Sequence, residues 1–354
     1  MEMKKLDKRR IFILDILRII CAALVFMSHT IGMYGCTYGQ KADLFIMSIR
    51  GAVMTCFFML SGFSIRLSTE NITFETWREL KGFYLKRGLA ILPVYYVFHI
   101  IWCCFFEDNI RLSLILTPIE LLGLQSAFNS LFGILHNGGT WFISCILFAY
   151  FMYPLIHKIL IHISTKAKII LIILGAFGLQ YANFVVAELG LDSFYSNPIF
   201  RTGEFLIGAV LCDLLIKMSG REIRNFVLGD CILIAGILVK ELLAGGGIYS
   251  RIIRMELAVI GGCILIFVAA YLIRYKRFEN SRVLKYCSRI TFEIYLTQMY
   301  AWKISDYLLV EAGTNLQKIV VSFIVTVVLA MILDRICVII RKYLENKIVK
   351  SYMY

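Results

Sequence analysis

The stretch LDILRIICAALVFMSH, Leu14 to His29, is apolar enough to cross a bilayer, yet it carries an acid, a guanidinium and an imidazole. From Arg18 to His29 is eleven steps, which turn a helix through about 1100°, roughly 20° past three full turns. The two side chains therefore share one helix face, about 16 Å apart along the axis. Asp15 lies on that face too, three residues before Arg18. A charge at the centre of a spanning helix costs on the order of 2.5–3.5 kcal/mol. Such groups face a protein interior or a water-filled cavity and carry function.

Working outward, the rest of the chain is of the same kind. Of 354 residues, 60% are hydrophobic and 17% charged, with mean hydropathy +0.78. The apolar residues come in long runs, the signature of spanning helices rather than of a soluble core. Ten spans are expected, at about 11–33, 44–67, 84–106, 140–160, 168–187, 199–217, 226–244, 252–273, 290–310 and 318–341. A shorter apolar stretch at 111–124 holds Pro118 and Glu120 and reads as a re-entrant or interfacial segment. The expected fold is an all-α bundle of about ten transmembrane helices. It forms a single polytopic domain over residues 1–354.

The basic residues orient this layout. With the N-terminus cytoplasmic, 26 of the 37 Lys and Arg fall in the tails and loops on the inner side. Only Lys41, Arg111, Arg251 and Lys318 fall outside, and the others lie within spans. That asymmetry places both termini in the cytoplasm. The net charge of +13 is thus a property of short membrane loops, and nucleic acid is not an expected partner. Met1 to Arg10 is basic and precedes an apolar run, as in a signal peptide, but Arg18 interrupts the run and no small-residue cleavage site follows. We read a retained first helix. The eleven cysteines are scattered without a CxxC pair, which supports neither a disulfide framework nor a metal site.

On this layout Arg18 lies about 10 Å in from Ile11, and His29 about 27 Å in, near the outer surface. Asp15 reads as a salt-bridge partner of Arg18. Ser61-Gly62-Phe63 falls at the depth of Arg18, and Gly62 admits a close neighbour, either a packed helix or a ligand. Arg66 follows near the inner surface. Lys86 and Arg87 open the third span there, as routine inner-face charge or as a clamp for the phosphates of a nucleotide-like donor. Arg50, His99, Arg201, Glu204, Arg254, Glu256, Glu293, Lys303, Asp306, Asp334 and Arg335 add polar groups to other spans, and Arg201 and Glu204 are spaced to pair. Together they imply a polar cavity between helices. The outer loop at about 107–139, ending in His136-Asn137-Gly138-Gly139-Thr140, is either a connector or a lid.

These features resemble the bacterial membrane-bound acyltransferase-3 family over nearly the whole chain. The resemblance rests on Leu14-Asp15-Ile16-Leu17-Arg18 leading to His29, and on Phe57-Phe58-Met59-Leu60-Ser61-Gly62-Phe63. It continues through Lys86-Arg87 before Ile91-Leu92-Pro93, Thr140-Trp141-Phe142, Phe205-Leu206-Ile207-Gly208 and Ile294-Tyr295-Leu296. It implies transfer of an acyl group, commonly acetyl, from cytoplasmic acyl-CoA to a hydroxyl of an envelope glycan or polysaccharide, in the bacterial cell membrane. No bound cofactor is implied; acyl-CoA is a cosubstrate. His29 is then the general base. Arg18, the other catalytic candidate, is too far along a straight helix to bond the same reacting carbon, so it binds the donor or stabilises the channel. Ser61, Gly62, Lys86 and Arg87 are the donor-binding candidates. Asp15, Trp141, Glu204 and Gln298 are candidates for acceptor binding or support.

The chain departs from the family twice. A second basic residue is common three positions after the one matching Arg87, where Ala90 stands here. A histidine is common where this chain has Gln298, which can hydrogen-bond but cannot titrate. A relative forms the membrane part of vancomycin-resistance serine racemases, where it is thought to supply serine. Transport of a small solute such as serine is therefore the alternative function, and a scaffold for a separate enzyme is a third.

Overall fold

In a computed structural model the chain is described over residues 11–106, 110–126, 138–190, 195–243, 255–273, 281–309 and 313–352. The described residues are helical apart from turns and short connections. They form α1 (Phe12–Tyr34), α2 (Gln40–Ser68), α3 (Trp77–Phe105), α4 (Ile110–Leu121), α5 (Trp141–His162), α6 (Thr165–Gln180) and α7 (Ala182–Glu188). These are followed by α8 (Pro198–Lys217), α9 (Gly220–Leu243), α10 (Glu256–Leu272), α11 (Arg282–Arg289), α12 (Thr291–Leu309) and α13 (Asn315–Tyr352), and a 3₁₀ turn over Gly138–Thr140 precedes α5.

Local chemistry sets several of these boundaries. Thr76 and Glu79 form a reciprocal capping box at the start of α3. Ser164, Asn197 and Ser281 cap α6, α8 and α11 through their side-chain oxygens. Pro198 at the first position of α8 suits a helix start, where its missing N–H has no intrahelical partner to lose.

Five helices, α1, α2, α3, α5 and α13, are long and apolar enough to cross a membrane. Helices also occupy the other five expected spans, although the expected fifth is divided at Tyr181 into α6 and α7. The expected re-entrant segment contains α4, whose twelve residues extend only about 18 Å. It is tied to α3 by polar contacts: Tyr95 donates to the Glu120 carbonyl at 2.8 Å and Tyr96 to the Leu121 carbonyl at 2.8 Å, while His99 lies 2.9 Å from Glu120 Oε2 through Nδ1 and 3.4 Å from Thr117 Oγ1 through Nε2. His136 and Asn137 of the expected lid lie outside the described residues.

The bundle is built around α2 and α8, which pack together more extensively than any other pair among the described elements. Two glycines make this possible. A Cβ on Gly62 would stand 1.9 Å from the Phe205 carbonyl oxygen, and one on Gly208 would stand 2.0 Å from that of Met59. In a membrane such small residues let two backbones gain dispersion contact, which replaces the missing hydrophobic drive. α5 and α6 pack on α8, while α1 and α10 pack on α2. A second group, α12 with α13, closes on α1 and α3. The large apolar side chains on the outside, such as Phe45, Phe151, Leu174, Leu242 and Ile339, suit a lipid surround.

Several charges inside the bundle are paired, as a low-dielectric interior favours. Asp213 on α8 accepts from Arg66 of α2 and lies 2.7 Å from Lys168 of α6 and 3.2 Å from Lys217.

Candidate active site

Arg18 projects from α1 against the short helix α11. Its Nη1 lies 3.2 Å from Asp15 Oδ1 and donates to Ser288 Oγ at 3.1 Å, while Nη2 reaches Ser64 Oγ of α2 at 3.4 Å. Ser288 also donates to Asp15 Oδ1 at 2.7 Å, so acid, hydroxyl and guanidinium form a closed triangle. The Arg18 side chain is still 27% exposed, and it lines an inter-helical cavity of about 360 Å³.

Three more arginines reach the same cavity, each from a different helix. Arg87 of α3 lies over the rings of Phe83 and Tyr150, at 5.8 and 5.9 Å from their centroids. Among the described residues it has no carboxylate partner, and its Nε is buried without a hydrogen bond. Arg289 of α11 is held by Asp334 of α13 at 2.6 Å. Arg341 of α13 donates to the Ala90 carbonyl at 3.0 Å and lies 3.6 Å from Glu293 Oε1. Ser61 contributes its hydroxyl, 3.1 Å from the phenol of Tyr150.

One wall of the cavity is aromatic. Phe142, Phe292 and Tyr295 line it, with Phe142 at 5.4 Å from Tyr295 and 6.5 Å from Phe292 between ring centroids. Tyr295 is fixed by donating to the Gly139 carbonyl at 2.6 Å. His29 is not among the residues lining the cavity. Its ring lies 6.4 Å from that of Tyr295 and 5.5 Å from the Trp302 indole, in an edge contact with the latter. Gln298, one turn beyond Tyr295, stands beside the imidazole and donates to the Tyr295 carbonyl at 2.8 Å. His29 Nδ1 and Gln298 Oε1 are both buried without a hydrogen-bond partner.

The structure thus gathers Arg18, Ser61 and Arg87 on one cavity, with Asp15 holding Arg18 from below. It places His29 and Gln298 together beside Tyr295, off the cavity lining. Lys86 is exposed and does not line the cavity. Gly62 faces α8. Trp141 and Glu204 belong to a separate cluster. There the fully buried Arg201 pairs with Glu204 at 2.6 and 2.8 Å and donates to the Tyr195 carbonyl at 2.8 Å. Phe58, Trp141 and Tyr195 surround the guanidinium at 5.0 to 5.7 Å from their ring centroids. Thr55 links this pair to Glu256, donating at 2.9 Å to Glu204 and lying 3.2 Å from Glu256 Oε1.

Sequence reading missed Ser64, Tyr150, Ser288, Arg289 and Arg341 as cavity residues, whereas Glu293 was among the groups from which a polar cavity was expected. Arg341 looked like one more basic residue of an inner tail.

The profile of the acyltransferase domain family matches residues 11–335, from the start of α1 well into α13. The chain belongs to the acyltransferase-3 family. No curated protein and no solved structure matches it. In this acyltransferase the family match includes Arg18, Arg87, His29 and Gln298 and ends before Arg341. Among the described residues no group of histidine, cysteine and acidic side chains could hold a metal ion.

Proposed function

We propose that this membrane acyltransferase moves an acetyl group from cytoplasmic acetyl-CoA to a hydroxyl of an extracytoplasmic envelope glycan or polysaccharide. The supporting observation is one arrangement: a cavity lined by four arginines and Tyr295, and a buried imidazole beside that tyrosine. In the proposed topology ten helices span the bacterial cell membrane with both termini inside. Arg87, Arg289 and Arg341 then fall at the inner ends of three spans, and His29 falls near the outer ends. A polyphosphate donor enters at the arginines, while a hydroxyl acceptor arrives from the opposite face.

The chemistry needs one proton transfer and one acyl transfer. The acceptor hydroxyl gives its proton to the His29 imidazole as its oxygen attacks the thioester carbonyl. The tetrahedral intermediate collapses with cleavage of the carbon–sulfur bond, and the CoA thiolate leaves and takes up a proton. Gln298 orients the imidazole. Arg18, held by Asp15 and Ser288, keeps a fixed positive charge beside the donor path. Ser61 and Arg87 contact the donor, and Trp141 and Glu204 support the wall through Arg201.

The test is labelled acetyl-CoA supplied to purified protein in native-like membranes with envelope polymer as acceptor. Wild type transfers label. His29→Ala loses on the order of 10²–10⁴-fold in rate while remaining folded, and Arg18→Ala also falls. Normal labelling by a folded His29→Ala protein removes the base assignment. No labelling by wild type, together with uptake of labelled serine independent of acyl-CoA, replaces the reading with transport.

A further inference from the structure

Four guanidiniums and one carboxylate, Glu293, are the charged groups lining the cavity. They are not equally available to an incoming anion. Arg18 is committed to Asp15, Ser288 and Ser64. Arg289 is committed to Asp334 at 2.6 Å. Among the described residues Arg87 has only aromatic faces against it. Arg341 has a carbonyl and a carboxylate at 3.6 Å, longer than the 2.7–2.9 Å of a good charge-assisted hydrogen bond. The Nε atoms of Arg87 and Arg341 are both buried without a partner, as is Oε2 of Glu293.

Arg87 and Arg341 also reach the same cavity from two packed helices, α3 and α13. Arg341 bonds the carbonyl of Ala90, three residues and about 4.5 Å along α3 from Arg87. The last helix thus brings a second under-paired guanidinium to the turn of α3 that carries the first. A cavity between helices with this excess of positive charge is stabilised by an anion that supplies several oxygens at once.

We propose that Arg341 is a donor-binding residue: together with Arg87 it clamps a phosphate of the nucleotide portion of the acyl donor, and Glu293 holds Arg341 in place until that phosphate arrives. The assignment rests on the acyl-CoA reading of the cavity. It adds a residue from outside the segment that defines the family.

The experiment measures binding of CoA itself to the full-length protein, by titration and by protection against thermal unfolding, with pantetheine as the phosphate-free control. Arg341→Gln keeps an N–H for the Ala90 carbonyl but loses the charge, so helix packing is preserved. Arg341→Lys keeps the charge but loses the fork. The expected result is CoA binding weakened about ten-fold or more by Arg341→Gln and less by Arg341→Lys, with pantetheine unaffected. Glu293→Gln, which frees the guanidinium, leaves CoA binding equal or tighter. Equal CoA affinity in wild type and Arg341→Gln overturns the proposal. So does an equal loss for CoA and pantetheine, or a loss that disappears when phospholipid is replaced by neutral detergent, because the phosphate recognised would then be a lipid headgroup. Wild type that does not bind CoA overturns it as well. CoA binding that depends on Arg341 without any acyl transfer leaves this inference standing and removes only the catalytic reading.

Discussion

Tyr295 touches both halves of the candidate site: its ring lies 6.4 Å from that of His29, and it forms part of the wall of the arginine-lined cavity. Its hydroxyl is tied to the carbonyl of Gly139, in the turn that leads into α5. On the proposed acyl-CoA reading, this side chain is the partition between donor space and imidazole. On that reading an acyl group held in the cavity meets a hydroxyl near His29 where this wall yields.

Removing the ring should join the two compartments. Tyr295→Ala is expected to raise hydrolysis of acetyl-CoA several-fold relative to transfer, because water from the His29 side then reaches the thioester. Tyr295→Phe keeps the ring and loses only the tether, at a cost of about 1 kcal/mol in stability, with coupling largely retained. The ratio of free acetate to acylated product distinguishes the two. Equal ratios in wild type and Tyr295→Ala would show that this ring is not the partition.

Gln298 offers a separate test of the imidazole's surroundings. Its amide donates to the Tyr295 carbonyl and stands beside His29, and it cannot itself titrate. Gln298→Leu is expected to lower transfer on the order of ten-fold, the usual cost of removing a buried hydrogen-bonding partner. Donor KM should be unchanged, because on the proposed reading the donor's phosphates bind at the cavity arginines and Gln298 does not line the cavity. A variant that alters KM and leaves kcat intact would instead place this side chain at the donor.

What the sequence made legible depended on how local the signal was. Arg18, Asp15 and His29 share one uninterrupted helix, so spacing alone put them on one face. The Arg201–Glu204 pair was readable for the same reason. Gly62 was ambiguous, because a glycine says that something comes close but not what; the close neighbour is the backbone of α8 at Phe205. The partition by Tyr295 was not legible. The straight-helix separation of Arg18 and His29 says nothing about which ring from α12 enters between their surroundings. Arg341 was hidden for a related reason. Basic residues at inner helix ends are so common that only the packing of α13 on α3 shows one turned into a cavity.

The α2–α8 crossing should tolerate no added methyl. A Cβ at Gly62 or Gly208 would sit about 2 Å from a carbonyl oxygen of the facing helix, so the backbones must separate. Gly62→Ala and Gly208→Ala are each expected to cost about 1–3 kcal/mol. The double variant should cost less than the sum, since one displacement relieves both contacts. Thermal unfolding in lipid nanodiscs measures this. A neutral Gly62→Ala protein with lowered donor affinity would mean that the glycine serves the ligand instead of the crossing.

The Arg201–Glu204 pair provides the last prediction. Both side chains are essentially without solvent contact, so removing one strands the other as a buried charge. Glu204→Leu or Arg201→Met alone should destabilise by about 3–5 kcal/mol. Replacing both together leaves no stranded charge, and the apolar side chains still fill the cage of Phe58, Trp141 and Tyr195. The double variant is therefore expected to be more stable than either single one. If this cluster only supports the wall, the double variant also keeps most of its transfer rate once folded. A stable double variant that has lost acceptor turnover, with donor binding intact, would instead show that the pair and Trp141 engage the acceptor directly.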